Sequence, residues 1–95
     1  MATRIITGAV GDHPLDGPGQ FGGALVVGAS LNAAASIRAT NAAGVAIAGG
    51  NAAAASGVGT SLGMASVSIP QWGQVIVTLR NAADQIQVSF AGPYG

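Results

Sequence analysis

The chain has 95 residues, of which six carry charge (Arg4, Asp12, Asp16, Arg38, Arg80 and Asp84); Lys, Glu and Cys are absent and the net charge is zero. This length suits one small domain, three scattered Arg exclude the basic stripe that nucleic acid or an anionic membrane surface requires, and the absence of Cys excludes a disulfide framework and a thiolate metal site. An ordinary soluble domain devotes roughly a quarter of its residues to charge, whereas this one is built on 20 Ala and 16 Gly, so much of its exterior is expected to be covered by other protein in the working state.

In chain order, short apolar runs with period-two alternation, punctuated by Gly, Asn and Pro, predict strands rather than helices. The first spans 3–9, and a turn-rich loop over 11–19 separates it from a second over 24–29. Strands over 34–40 and 45–48 follow, joined by Asn41-Ala42-Ala43-Gly44 as a hairpin. A loop over 49–60, in which Ala52 to Ala55 could form one helical turn, leads to a strand over 63–69. The last two are the plainest: over 74–80, Val75, Val77 and Leu79 share one face with Ile76 intruding on the other, and over 85–90, Ile86, Val88 and Phe90 share a face. Asn81 to Asp84 makes the hairpin between them.

This pattern predicts an all-β protein, a single small antiparallel β-sandwich or jelly-roll-like domain of about seven strands. Residues 1–20 read as an N-terminal strand or arm with a Gly/Pro loop that adds to a neighbour's sheet edge, and residues 21–95 as the sandwich domain. The N-terminus lacks the apolar stretch of a secretion signal. The interval from Arg38 to Arg80 has no charge, but Gly49-Gly50-Asn51, Pro70 and Gln71 break it and Ala supplies little insertion energy, so a membrane span is not expected.

Four features could carry chemistry. Gly59-Thr60-Ser61-Leu62-Gly63 matches a G-x-S-x-G nucleophile elbow, yet the sole histidine, His13, precedes the Ser and no helix follows, so a glycine loop is the expected reading. Asp12-His13-Pro14-Leu15-Asp16 offers two carboxylates and an imidazole but no Ca²⁺-loop spacing and too few ligands, so it reads as a polar turn. Asn-Ala-Ala recurs at Asn32, Asn41, Asn51 and Asn81 as turn punctuation. Trp72, between Pro70 and Gly73, is either a sugar- or partner-binding aromatic or a core or interface anchor; the anchor is preferred, with Phe21, Phe90 and Tyr94 as the other candidates, because the chain has few large groups to bury. No catalytic residue, metal site, cofactor or small-molecule substrate is expected.

From Gly17 to Pro93 the order of features resembles small β-sandwich virion structural proteins of tailed bacteriophages. Gly17-Pro18-Gly19-Gln20-Phe21-Gly22-Gly23-Ala24-Leu25-Val26-Val27 is similar to an opening S-P-G-x-L-x-G-V-x-V. Ala35 to Gly44 resembles a strand and turn a-x-v-x-l-y-D-x-x-x-G, although Thr40 and Asn41 replace the acidic turn. Ser68 to Leu79 and Ile86 to Phe90 resemble the closing v-x-f-x-x-G-L-x-V and v-t-V-x-Y strands. The resemblance implies a virion structural role, that of a non-enzymatic capsid decoration or cement protein; on the outer surface of the head its expected partners are the major capsid protein and copies of itself, as a trimer because closed symmetry hides self-complementary patches. A neck, tail or head-fibre component is the alternative within that class, and a bacterial surface or carbohydrate-binding module the alternative outside it.

Overall fold

The computed structural model describes residues 2–91; Tyr94 lies outside the described residues. Eight strands form: β1 (Ala2–Ile6), β2 (Gly11–Asp16), β3 (Gly19–Val26), β4 (Ala35–Thr40), β5 (Ala46–Ala52), β6 (Val67–Ile69), β7 (Gln74–Leu79) and β8 (Ile86–Ala91). They sort into two four-stranded sheets, ordered β1-β8-β3-β6 and β2-β7-β4-β5, with every pairing antiparallel. The pairs β1 with β8, β2 with β7, β3 with β6 and β4 with β5 are those of one long hairpin folded over on itself. The arrangement is therefore an eight-stranded jelly roll.

Alternation along each strand places one face in the core. Val75, Val77 and Leu79 of β7 are fully buried, as are Ile86 and Val88 of β8 and Phe21 and Val26 of β3. Ile37, Ala35 and Ala39 of β4 complete the facing layer. Small side chains let the sheets approach closely, and at Gly50 of β5 they leave no room for a Cβ, which would strike the Leu62 carbonyl oxygen and lie 2.7 Å from the Met64 nitrogen. Leu62 and Met64 come from the segment between β5 and β6, and both are buried. That segment also runs along β3 beyond the end of β6: Leu62 N–H donates to Ala24 O (3.0 Å), Val26 N–H to Thr60 O (2.9 Å) and Gly59 N–H to Val26 O (2.7 Å). The loop thus seals an edge that a three-residue strand alone would leave open.

Two loops are tied by specific groups. Leu31, buried between β3 and β4, donates to Ser56 O and accepts from Ala55 N–H, both at 2.9 Å. Asp84, buried in the β7–β8 hairpin, accepts from Asn32 N–H, Asn32 Nδ2 and Ala33 N–H at 2.8, 3.0 and 3.2 Å. Asn41 Oδ1 accepts from Ala43 and Val45 N–H, and Asn81 Oδ1 from Ala83 N–H, so these two Asn-Ala-Ala repeats are side-chain-braced turns. Asn51, by contrast, lies within β5.

Several elements differ from the sequence expectation. The expected loop over 11–19 contains β2, whose Asp12, Pro14 and Asp16 alternate with His13 and Leu15; β2 is an edge strand, where Pro is tolerated because no ladder bond is lost on the open side. β3 begins at Gly19, five residues before the expected start, and a register shift between Phe21 and Gly23 accommodates the paired glycines. Ala52 ends β5 rather than opening a helical turn, and Ala55 adopts φ +67°. The strand expected over 63–69 is confined to Val67–Ile69. Residues 2–20 do not stand apart as an arm: β1 pairs with β8 and β2 with β7 of the same chain, and Ile6 and Leu15 enter its core. The expected boundary at residue 20 has no counterpart in these pairings, because β1 and β2 each supply an edge strand to a different sheet.

Candidate interaction surfaces

Of the six charged side chains, three lie on the outer face of one sheet and none on the outer face of the other. On the β2-β7-β4-β5 sheet, Asp12 and Asp16 of β2 and Arg38 of β4 fall on the side opposite the core, in register with Thr78, Gln74 and Ile76 of β7. Asp12 accepts from the Thr78 hydroxyl (2.7 Å) and from Arg38 Nη2 (3.3 Å). The Thr78 hydrogen bond and then the Arg38 guanidinium hold the Asp12 carboxyl below the usual aspartate value, by favouring its charged form. Ile76, the apolar intruder of β7, is flanked in register by Pro14 and Arg38 and is buried on this outer face. This is a solvated, self-paired surface.

Among the described residues, the outer face of the β1-β8-β3-β6 sheet carries no charged side chain. Its rows, read across the register, are Ile5, Gln87 and Leu25; Thr3, Ser89 and Gly23; and Ala91, Gln20 and Ser68. Ile5 and Leu25 are 49% and 36% exposed, and Ser68 Oγ donates to Gln20 Oε1 at 2.8 Å. Arg4, the one charge in this sheet, is in register with buried Val88 and so lies on the core side at the exposed margin of edge strand β1. There it opposes edge-to-edge strand addition while leaving the outer face neutral. Hydroxyls, carboxamides, small residues and two aliphatics make a surface less costly to desolvate than a charged one, which suits contact with protein.

The third feature is the turn between β6 and β7. Trp72 is 77% exposed and has φ +68°, a conformation that costs a bulky residue about 1–3 kcal/mol. Gly73 after it is buried, and a Cβ there would strike the Thr40 carbonyl oxygen; Gly73 N–H donates to Pro70 O (3.0 Å), and Gly73 O accepts from Gly17 N–H (2.8 Å). The turn is thereby fixed. Gln74 Nε2 donates to Asp16 Oδ1 at 2.8 Å, and Asp16, Gly17, Trp72, Gly73 and Gln74 line an open notch of about 360 Å³.

Of the four expected anchors, Phe21 is fully buried and Phe90 is half-buried against the core. Trp72 is not in the core of the chain: a positive-φ turn carries its side chain outward instead. Tyr94 falls beyond the described residues. The two chemical motifs are dispersed by the strands. His13 alternates away from Asp12 and Asp16 and sits 2.7 Å from Ala9 O, and no cluster of metal-ligating side chains occurs among the described residues. Ser61 bridges to Leu25 and its Oγ accepts from Gly63 N–H at 3.0 Å, a local turn. Sequence reading missed Asp16 and Gln74 as neighbours of Trp72, since their juxtaposition arises from β2–β7 pairing.

Comparison with known proteins assigns no family: no family model, no curated protein and no solved structure matches the chain. What stands is a small all-β domain of two antiparallel sheets.

Proposed function

We propose that the protein is a non-enzymatic virion structural subunit, a capsid decoration or cement protein that binds the outer surface of an icosahedral phage head. The observation that carries this reading is the charge-free outer face of the β1-β8-β3-β6 sheet, on a chain with only six charges in all. A neutral face costs less to desolvate than a charged one, provided its hydroxyls and carboxamides find hydrogen-bond partners when covered. Contacts spread across such a face bridge neighbouring capsid subunits, and their free energy is present only in the assembled shell, so the shell resists internal pressure. Trimers at three-fold positions hide self-complementary patches by closed symmetry. The eight-stranded jelly roll is compatible with this role, being used by capsid and lectin domains alike, and the fold by itself selects neither.

Mass spectrometry of purified virions tests the proposal: copies of the chain are expected at tens to hundreds per particle, as symmetry-related sites require, and none would refute it. Replacing Ile5 and Leu25 together with Lys is expected to leave the fold intact, since both side chains are already exposed, and to abolish attachment to particles. Undiminished attachment of that variant would remove the face from the interface.

A further inference from the structure

We propose that the notch at Trp72 is a binding site for a neutral hexopyranose, the indole stacking on the sugar's C–H face and Asp16 with Gln74 accepting its hydroxyls. Trp72 is the only Trp in the chain, and 77% of its surface is left in water, although burying an indole is among the largest single contributions an apolar side chain can make. It also occupies a left-handed conformation (φ +68°) that Gly or Asn would adopt more easily. A bulky aromatic kept outward, in a strained but fixed turn, points to a use outside the chain's own core.

The neighbouring groups define the ligand. With Asp16 Oδ1 engaged by Gln74 Nε2, Asp16 Oδ2 and Gln74 Oε1 have no other partner among the described residues, and both are acceptors. The site therefore selects a ligand that donates hydrogen bonds from adjacent positions while presenting an apolar face to the ring. A pyranose does both. The carboxylate disfavours anions, and a quaternary ammonium calls for an aromatic cage where the described residues give this notch one ring. The notch is open and shallow, so it would contact one face of a single sugar ring rather than enclose it.

Asp16 and Gln74 lie on the outer face of the β2-β7-β4-β5 sheet, on the opposite side of the sandwich from the charge-free face. The notch consequently stays open to solvent when that other face is covered.

The test uses the full chain and a panel of methyl glucosides, galactosides and mannosides with choline as a control. Because Trp72 is the sole Trp, its fluorescence should change saturably with at least one hexoside, in the millimolar range of dissociation constants that so small a ligand permits. Saturation-transfer NMR, which needs no fluorophore, should show binding lost in Trp72→Ala, retained but weakened in Trp72→Phe, and weakened about tenfold in Asp16→Asn, with unchanged circular dichroism in all three. No saturable response to any hexoside up to about 0.1 M would overturn the site. So would a response to choline alone, equal binding by Trp72→Ala and the wild type, or loss of particle attachment in Trp72→Ala without any sugar response, the last assigning the indole to a protein interface.

Discussion

Asp84 and Asn32, more than fifty positions apart, form a two-point contact in which Asp84 Oδ1 accepts both the Asn32 backbone N–H (2.8 Å) and its Nδ2 (3.0 Å). Asp84 Oδ2 accepts Ala33 N–H at 3.2 Å. One buried side chain thus ties the β3–β4 loop to the β7–β8 hairpin. Asp84→Ala is expected to destabilise by about 2–3 kcal/mol, since it strips charge-assisted bonds from three donors, which lowers Tm by roughly 10–20 °C in a domain of this size. Asp84→Asn should cost less, because its oxygen still serves Asn32 while its amide faces the Ala33 donor. Thermal unfolding by circular dichroism checks both, and equal Tm values for Asp84→Ala and wild type would show the clamp to be dispensable.

Gly50 and Gly49 are neighbours in β5 with opposite tolerances. A Cβ at Gly50 would drive into the backbone of 62–64, whereas one at Gly49 would meet only Ile37 O at an ordinary 3.4 Å. Gly50→Ala should therefore destabilise by about 1–3 kcal/mol through overpacking, and Gly49→Ala by well under that. Chemical denaturation of the pair checks the ordering; equal midpoints would mean that the loop does not pack on β5 as described.

Asp12 makes a small, signed contribution to pH dependence. Its folded-state pKa is depressed, first by the Thr78 hydroxyl and then by Arg38, so the stabilisation is complete above the unfolded value of about 3.9 and is lost as pH falls through the lower folded value. Exposure to solvent keeps the effect small. Tm measured from pH 7 to 2 should fall slightly less steeply at the acid end in Asp12→Asn than in wild type, and a steeper fall in the variant would contradict the assignment.

The sequence made β7 and β8 legible because Val75, Val77 and Leu79, and then Ile86, Val88 and Phe90, alternate with polar residues over the full length of each strand. β2 was hidden for a physical reason: Gly11, Pro14 and two Asp are turn-forming residues, and an edge strand is where a sheet admits them. Asp12, Pro14 and Asp16 do alternate with His13 and Leu15, but these residue types are those of a turn. Trp72, expected as a core or interface anchor, lies outside the chain's own core. Size and apolarity argue for burial, and nothing in the residue itself announces a left-handed turn aimed at solvent; its notch depends on Asp16 of one strand meeting Gln74 of another.

Membership of β1 and β2 in the two sheets has a direct consequence for truncation. Removing residues 1–20 withdraws an edge strand from each sheet and takes Ile6 and Leu15 from the core, leaving β7 and β8 with open flanks. The truncated chain is expected to lose cooperative unfolding and to aggregate. A shortened domain that unfolds cooperatively near the wild-type temperature would restore the view of this segment as a separable arm.

The central claim, that the charge-free face of the β1-β8-β3-β6 sheet is the face covered in the working state, is tested most directly by a cryo-EM reconstruction of virions containing the protein. Density for the sandwich should lie on the outside of the shell, with Ile5, Leu25 and Gln87 against neighbouring protein and the Asp12–Arg38 pair toward solvent. Copies docked through the Asp12–Arg38 face, with Ile5 and Leu25 open to water, would contradict it.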